Sequence, residues 1–339
     1  MPSLWDDLDS LMNTPSSFDI KTGERGTIKP KEDFDAEDDA VALRMAIEGL
    51  GTKEEILIDV LSHRSNAQRQ LICEAYLEAT GRTLLEDLKE DTGGDFGSLL
   101  VALITPPAVF DCHEVRKAIS GAGTACRILI EIFASRSNEQ IKVLNDIYLQ
   151  ETERKLSHDL KVELSGDFCN ALLLLAEGKR DESTTVDPEQ ALEDAQTLYE
   201  AGEKKWGTDE SKFVDILCER SIPQLRQTLV EYKNISGKTL QQSIEGEMSG
   251  ELEALLVAVI KCVKSVPTYF AECLYDSMEG GGTDEATLNR IMVSRSEIDL
   301  LDIKAEFKRL YNYSLHSAIE SDLSCEHRDC VKAICGGDD

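Results

Sequence analysis

The chain has 339 residues, with 65 acidic and 36 basic side chains, a formal net charge of −29, and 41% hydrophobic against 30% charged residues. That is a soluble globular mix with ample material for a core, not a disordered one. The charge argues against nucleic acid as a partner, and an anionic membrane would be repelled too unless a cation stood between them.

In chain order the first segment, residues 1–34, is a tail. Its start, Met1 to Asp9, has no basic region and no apolar run of signal-peptide length. Nowhere does an apolar run approach the roughly 20 residues of a spanning helix. The default location is therefore cytoplasmic, and the ten cysteines are expected to be reduced. Leu4, Leu8, Leu11 and Met12 fall on one helical face with Trp5 beside them. Such a face suits a protein partner, and a tail packed on its own core or disordered is an equal alternative.

From residue 35 the chain repeats itself. Gly51, Gly123, Gly207 and Gly282 are each followed by threonine, and thirteen residues later by Arg64-Ser65, Arg136-Ser137, Arg220-Ser221 and Arg295-Ser296. Forty residues after each glycine stands a carboxylate: Asp91, Glu163, Glu247 and Asp322. The repeats divide as 35–105, 106–177, 195–262 and 263–339, with a polar connector at 178–194. Apolar spacing within each is helical, as in Ile56, Val60 and Leu61, then Leu71, Ile72, Ala75 and Tyr76. Breaks near Gly49–Gly51, Arg64–Asn66, Gly81 and Gly93–Gly94 give five short helices per repeat. The fold class is all-α, built from four repeats.

Three of the origin glycines sit in G-x-G-T loops, and the third repeat has Gly202-Glu-Lys-Lys-Trp-Gly207-Thr instead. Glycines let such a loop turn carbonyl oxygens inward, and the threonine is expected to cap the following helix, Thr52 with Glu55 forming a capping box. Alone this is an ordinary helix corner. A carboxylate recurring at a second loop is what a corner does not explain. Converging carbonyls with one carboxylate suit calcium, which takes about six to eight oxygens and tolerates irregular loops. Each site is short of ligands, so an outside oxygen, such as a phospholipid phosphate, would complete it.

Competing motifs fail. Asp33 to Glu37 imitates an EF-hand start but lacks its glycine, and Gly202 to Gly207 has P-loop spacing without its lysine. No nucleophile–base pattern recommends an enzyme. Cys325, His327, Cys330 and Cys335 could hold a soft metal, although one helix with buried thiols is the preferred reading. The repeated arginines are read as cations at helix C-termini, paired inside each repeat.

Over roughly residues 35 to 339 the sequence resembles the annexin family, on its G-x-G-T loops, Arg-Ser pairs, spaced carboxylates and stretches such as Arg64 to Gln70 and Ser294 to Leu300. The resemblance implies a curved disc of four five-helix repeats with calcium loops on the convex face. It implies carbonyl ligands from Ile47, Gly49 and Gly51 with Asp91, and from Ile119, Gly121 and Gly123 with Glu163. The third set is Gly202, Lys205 and Gly207 with Glu247, with Trp206 at the loop tip entering lipid, and the fourth is Met278, Gly280 and Gly282 with Asp322. It also implies that Asp111, Glu114, Arg136 and Arg290 line a central hydrophilic channel, an ion path or equally a structural hinge network. The family follows its carboxylate with x-[Ser/Thr]-Gly. Glu163-Leu-Ser-Gly166 and Glu247-Met-Ser-Gly250 fit, Asp91-Thr-Gly-Gly94 shifts the hydroxyl, and Asp322-Leu-Ser-Cys325 loses the glycine. A cysteine where positive φ is needed would be strained, which puts the fourth site in doubt. The second loop lacks the acidic residues that follow Thr208 and Thr283, so an auxiliary ion there is not expected.

The expected function is calcium-dependent binding to anionic phospholipid membranes, peripheral when calcium rises, with a membrane-organising or trafficking role. A calcium-independent helical scaffold for protein partners is the alternative.

Overall fold

The computed structural model describes residues 24–48, 51–120, 125–203 and 207–337. Among them every regular element is an α-helix, twenty in all and five to a repeat. The first repeat holds α1 (Ala36–Ile47), α2 (Glu54–Ser62), α3 (Asn66–Thr80), α4 (Leu84–Asp91) and α5 (Gly94–Ile104). The second holds α6 (Pro107–Ser120), α7 (Cys126–Ser135), α8 (Asn138–Thr152), α9 (Leu156–Glu163) and α10 (Gly166–Ala176). The third holds α11 (Pro188–Ala201), α12 (Glu210–Glu219), α13 (Ile222–Ser236), α14 (Leu240–Glu247) and α15 (Gly250–Lys264). The fourth holds α16 (Val266–Met278), α17 (Glu285–Arg295), α18 (Leu300–Tyr311), α19 (Leu315–Asp322) and α20 (Cys325–Cys335). No described helix is long and apolar enough to cross a membrane.

Local chemistry explains most of these ends. The serine of the Arg-Ser pair caps the third helix of the first three repeats: Ser65 with Gln68 and Ser137 with Gln140 form complete capping boxes, and Ser221 accepts from the Gln224 N–H. Thr83 with Glu86 and Thr239 with Gln242 do the same for the fourth helices of the first and third repeats. Asp187 caps α11, with Pro188 in its first turn, so this helix begins inside the segment 178–194. Its ordered start follows from the cap, which the polar composition of that segment had masked.

Among the described residues the threonine after the loop glycine does not cap: Lys53, Asp209 and Asp284 stand at the N-cap after Thr52, Thr208 and Thr283. The α2 N-cap is Lys53, without a side-chain bond, so the expected box between Thr52 and Glu55 is absent. The loops close instead through the backbone. Lys53 N–H donates to the Ala46 carbonyl at 3.0 Å, Ala125 to Ala118 at 3.0 Å, Asp209 to Ala201 at 2.9 Å and Asp284 to Ser277 at 2.7 Å. These bonds tie the start of each second helix to the end of the first, pushing the threonine out of the cap position.

The described residues form two compact units, one within 111–266 and one of 24–110 with 267–337. In the first, α7 and α10 of the second repeat pack against α12 and α15 of the third. In the second, α2 and α5 of the first repeat pack against α17 and α20 of the fourth. The same two helices of each repeat thus supply the shared core. Leu57, Leu61, Leu99, Leu103, Leu288, Ile291, Val331 and Ile334 on these helices are fully buried in the one unit, as Leu129, Ile132, Leu172, Leu255 and Val259 are in the other. Burying each such leucine or isoleucine is worth about 1.5–3 kcal/mol.

Candidate cation-binding loops

All four repeated carboxylates occupy the same structural position. Asp91, Glu163, Glu247 and Asp322 are the last residues of α4, α9, α14 and α19, and all four are exposed. The following residue bonds back into the helix: Thr92 N–H to the Leu88 carbonyl, Leu164 to Leu160 and Met248 to Ile244 at 2.9 Å, and Leu323 to Ile319 at 3.0 Å. Three residues after each carboxylate the backbone turns left-handed, at Gly94 (φ 60°), Gly166 (67°), Gly250 (77°) and Cys325 (54°). The loop requires that turn, and the cysteine of the fourth repeat accepts it as an exposed side chain in a conformation L-residues avoid. The strain expected at Cys325 is therefore present.

A carboxylate at a helix C-terminus opposes the partial negative charge that the unpaired carbonyls place there. Four such placements against the dipole mark positions where an added cation would relieve repulsion.

The glycine loops lie at the ends of the first helices. Ile47 closes α1 and Met278 closes α16, while Ile119 lies one residue from the end of α6 and Gly202 caps α11. Carbonyls at such ends have no intrahelical partner and are free to face a cation. Gly51 (φ 85°) and Gly207 (86°) take the left-handed turn expected of the loop. In the fourth repeat Gly280 (φ 111°) takes it and Gly282 does not, because three consecutive glycines leave no side chain to fix the position of the turn. Gly202 is held for another reason: a Cβ there would meet the Phe213 ring at 3.2 Å. Gly49, Gly121, Gly123, Lys205 and Trp206 lie outside the described residues, as do the tail residues Leu4, Trp5, Leu8, Leu11 and Met12.

Two of the loop pairs touch directly. Thr208 Oγ1 donates to the Glu247 carbonyl at 3.5 Å, and Thr283 Oγ1 donates to the Asp322 carboxylate. The threonine thus links the two loops rather than capping a helix. Among the described residues no cluster of three or more histidine, cysteine, aspartate or glutamate side chains could hold a metal ion. The C-terminal cysteines follow the structural reading: Cys330 and Cys335 are fully buried, and His327 Nε2 pairs with Asn289 Oδ1 at 2.8 Å. Burial pushes the Cys330 thiol up to about 12.

The arginines pair inside their repeats. Arg64 grips Asp39 through Nε and Nη2 at 2.6 and 2.8 Å, Arg136 grips Asp111 at 2.7 and 2.8 Å, and Arg220 grips Asp194 at 2.7 and 3.0 Å. Asp111 and Arg136, two of the channel-type charges, are thus committed to each other, and Arg290 is buried with Nη2 donating to Thr287 Oγ1 at 3.2 Å. The aspartates were not singled out from sequence, although an aspartate stands 25 or 26 residues before the arginine in three repeats.

A second repeated contact escaped the sequence pattern. Tyr76 donates to Asp87 and Tyr148 to Asp159, both at 2.6 Å. Burial first, and then the bond to the aspartate, raises both phenols. The third repeat has Ser243 at this place, and the carboxylate comes from the loop instead: Glu203 accepts from Ser243 Oγ at 3.0 Å and from Lys238 Nζ at 2.9 Å. The Lys238 bond holds the Glu203 carboxyl below its usual range. Glu203 lies in the third glycine loop, so this tie anchors that loop to the start of α14.

A four-repeat helical protein with paired loops and helix-end carboxylates is the class these features define. A family model described as annexin matches residues 38–103, 110–175, 193–259 and 269–334. Annexin A3 of Homo sapiens is 53% identical over 320 residues, covering 94% of this chain and 99% of the relative. The solved structure of annexin III superposes with a TM-score of 0.91 at 53% identity, covering 94% of this chain and 99% of that one. A calcium-bound annexin (Sm)1 matches with a TM-score of 0.81 at 35% identity, covering 95% of this chain and 99% of that one. The chain belongs to the annexin family.

Proposed function

We propose that this protein binds anionic phospholipid membranes reversibly and in response to calcium, through the four loop pairs, and so organises or moves membranes. Calcium supplies the positive charge that a chain of net charge −29 lacks. The observation that carries the reading is the recurrence of an exposed carboxylate on the last residue of α4, α9, α14 and α19, beside loops whose carbonyls have no helical partner. Calcium-bound annexin (Sm)1, with the same fold, supports calcium as the ion.

The residues divide the work. Ile47, Gly49 and Gly51 offer carbonyls beside Asp91, and Ile119, Gly121 and Gly123 offer them beside Glu163. Gly202, Lys205 and Gly207 stand with Glu247, and Met278, Gly280 and Gly282 with Asp322. The second and third sets have the family's full carboxylate motif. The fourth carries the strained Cys325 and a carboxylate already engaged by Thr283, so it contributes least. The apolar spacing of Leu4, Leu8, Leu11 and Met12 in the tail sequence suits a protein partner. No feature of the described residues recommends catalysis.

Co-sedimentation with phosphatidylserine vesicles across a calcium titration tests this. Binding should rise steeply, because several weak sites engage one surface together, and a chelator should reverse it. Combining Glu163→Gln with Glu247→Gln should move the midpoint to higher calcium by more than either change alone. An unmoved midpoint would favour the calcium-independent scaffold.

A further inference from the structure

In the Asp111–Val266 unit a cavity of about 200 Å³ lies between α7, α10, α12 and α15. Its apolar wall includes Phe133, Ile141, Val259 and Val263, with the thiols of Cys218 and Cys262 beside them. One end is formed by Arg180, Asp181 and Glu182 of the segment between α10 and α11.

Arg180 is fixed in place. Its N–H donates to Asn138 Oδ1 at 3.1 Å, its carbonyl accepts from Asn138 Nδ2 at 2.8 Å, and Nη1 donates to the Arg220 carbonyl at 2.8 Å. The opposite edge of the guanidinium, Nε with Nη2, has no protein acceptor among the described residues. That is the edge on which Arg64, Arg136, Arg220 and Arg295 each hold an aspartate in this same chain. Arg180 lines the cavity, and its Nε and Nη2 are not among the polar atoms sealed without a partner in the described residues, which are Arg69 Nε, Tyr232 Oη and Gln241 Oε1.

The surroundings do not neutralise this cation. Burial lowers the Arg180 guanidinium from its ordinary value, and only the Cys218 and Cys262 thiols, no carboxylate, act against this. The Cys218 thiol is itself pushed up to about 12 by burial and stays neutral. Asp181 accepts the Ser183 N–H at 2.9 Å, and Asp181 and Glu182 are exposed. A desolvated cation without a counter-charge is costly, and a planar carboxylate fits its open edge in two parallel bonds.

We propose that this cavity is a binding site for a small amphipathic monocarboxylate, whose carboxylate docks on the Nε–Nη2 edge of Arg180 and whose apolar body lies against Phe133, Ile141, Val259 and Val263. The size agrees, since an apolar cavity of about 150 Å³ takes up benzene. The carboxylates of Asp181 and Glu182 at the rim set the limit at one negative charge. The site is independent of the membrane-binding loops.

Benzoate and its neutral isostere benzamide test it by calorimetric titration of the full chain in calcium-free buffer. Benzoate should bind at least about tenfold more tightly than benzamide, and Arg180→Gln should abolish that preference. Benzoate should also raise the unfolding temperature of the unaltered chain, and benzamide at the same concentration should raise it less. This readout needs no variant. Equal affinity for the two probes, no benzoate binding at about 10 mM, where even a weak fragment-sized ligand registers, or equal shifts in unfolding temperature would overturn the proposal.

Discussion

Phe270 stands where Asp39, Asp111 and Asp194 stand in the other repeats, and the consequences can be followed atom by atom. Without an aspartate on α16, Arg295 takes Asp299 one turn later, at 2.7 and 2.6 Å, and lays its guanidinium over the Phe270 ring at 4.9 Å. Ser296 then lies in a turn instead of capping the third helix, and α18 starts only at Leu300. The tyrosines give a sharper contrast. Tyr148 has Asp159 as its acceptor, whereas the Tyr232 hydroxyl is sealed without a partner among the described residues. Tyr148→Phe should therefore cost about 1–2 kcal/mol of stability, while Tyr232→Phe, in the same unit, should be neutral or stabilising. Urea unfolding midpoints decide this, and an equal loss in both variants would contradict the assigned hydrogen bonds.

At the scale of the helix, α9 and α14 are short elements that end on an exposed glutamate facing their own negative pole. A loop selected only for stability would not keep a carboxylate there. Glu163→Gln and Glu247→Gln should each raise metal-free stability by about 0.3–1 kcal/mol at low ionic strength, even as they weaken calcium binding. Opposite signs in the two measurements are the signature of a binding residue. A loss of stability without metal would instead make these glutamates structural. Helix ends also explain how much of the site could be read in advance. The carboxylates, glycines and hydroxyls recur at fixed spacing, so their positions were legible. The role of threonine was not, because the backbone bond from Lys53 to Ala46 and its three equivalents takes the place that a capping side chain would occupy.

For the molecule as a whole, calcium that binds the folded chain and not the unfolded one should stabilise it by mass action. The gain is about 2.7 kcal/mol at a hundredfold excess over Kd. Differential scanning calorimetry should therefore give a transition that rises with calcium, moves much less with equal magnesium, and is blunted by Glu247→Gln. Magnesium holds its water more tightly and demands an octahedron that carbonyl loops do not provide. Equal shifts from both ions would point to general screening of the −29 charge rather than to sites.

By itself the sequence determined the all-helical repeat, its five-helix unit, the carboxylate positions and the strained place of Cys325. These features follow from spacing, and spacing along a helix is fixed by its 3.6-residue period. Tertiary structure decided the rest: which aspartate each arginine holds, that Glu203 brings a carboxylate to the place where Ser243 replaces an aspartate, how first and fourth repeats share one core while second and third share another, and that Arg180 is left with an open edge at a cavity. Those outcomes depend on helices far apart in the chain coming within a few ångströms, where burial makes every unpaired charge or hydroxyl costly and so dictates its partner.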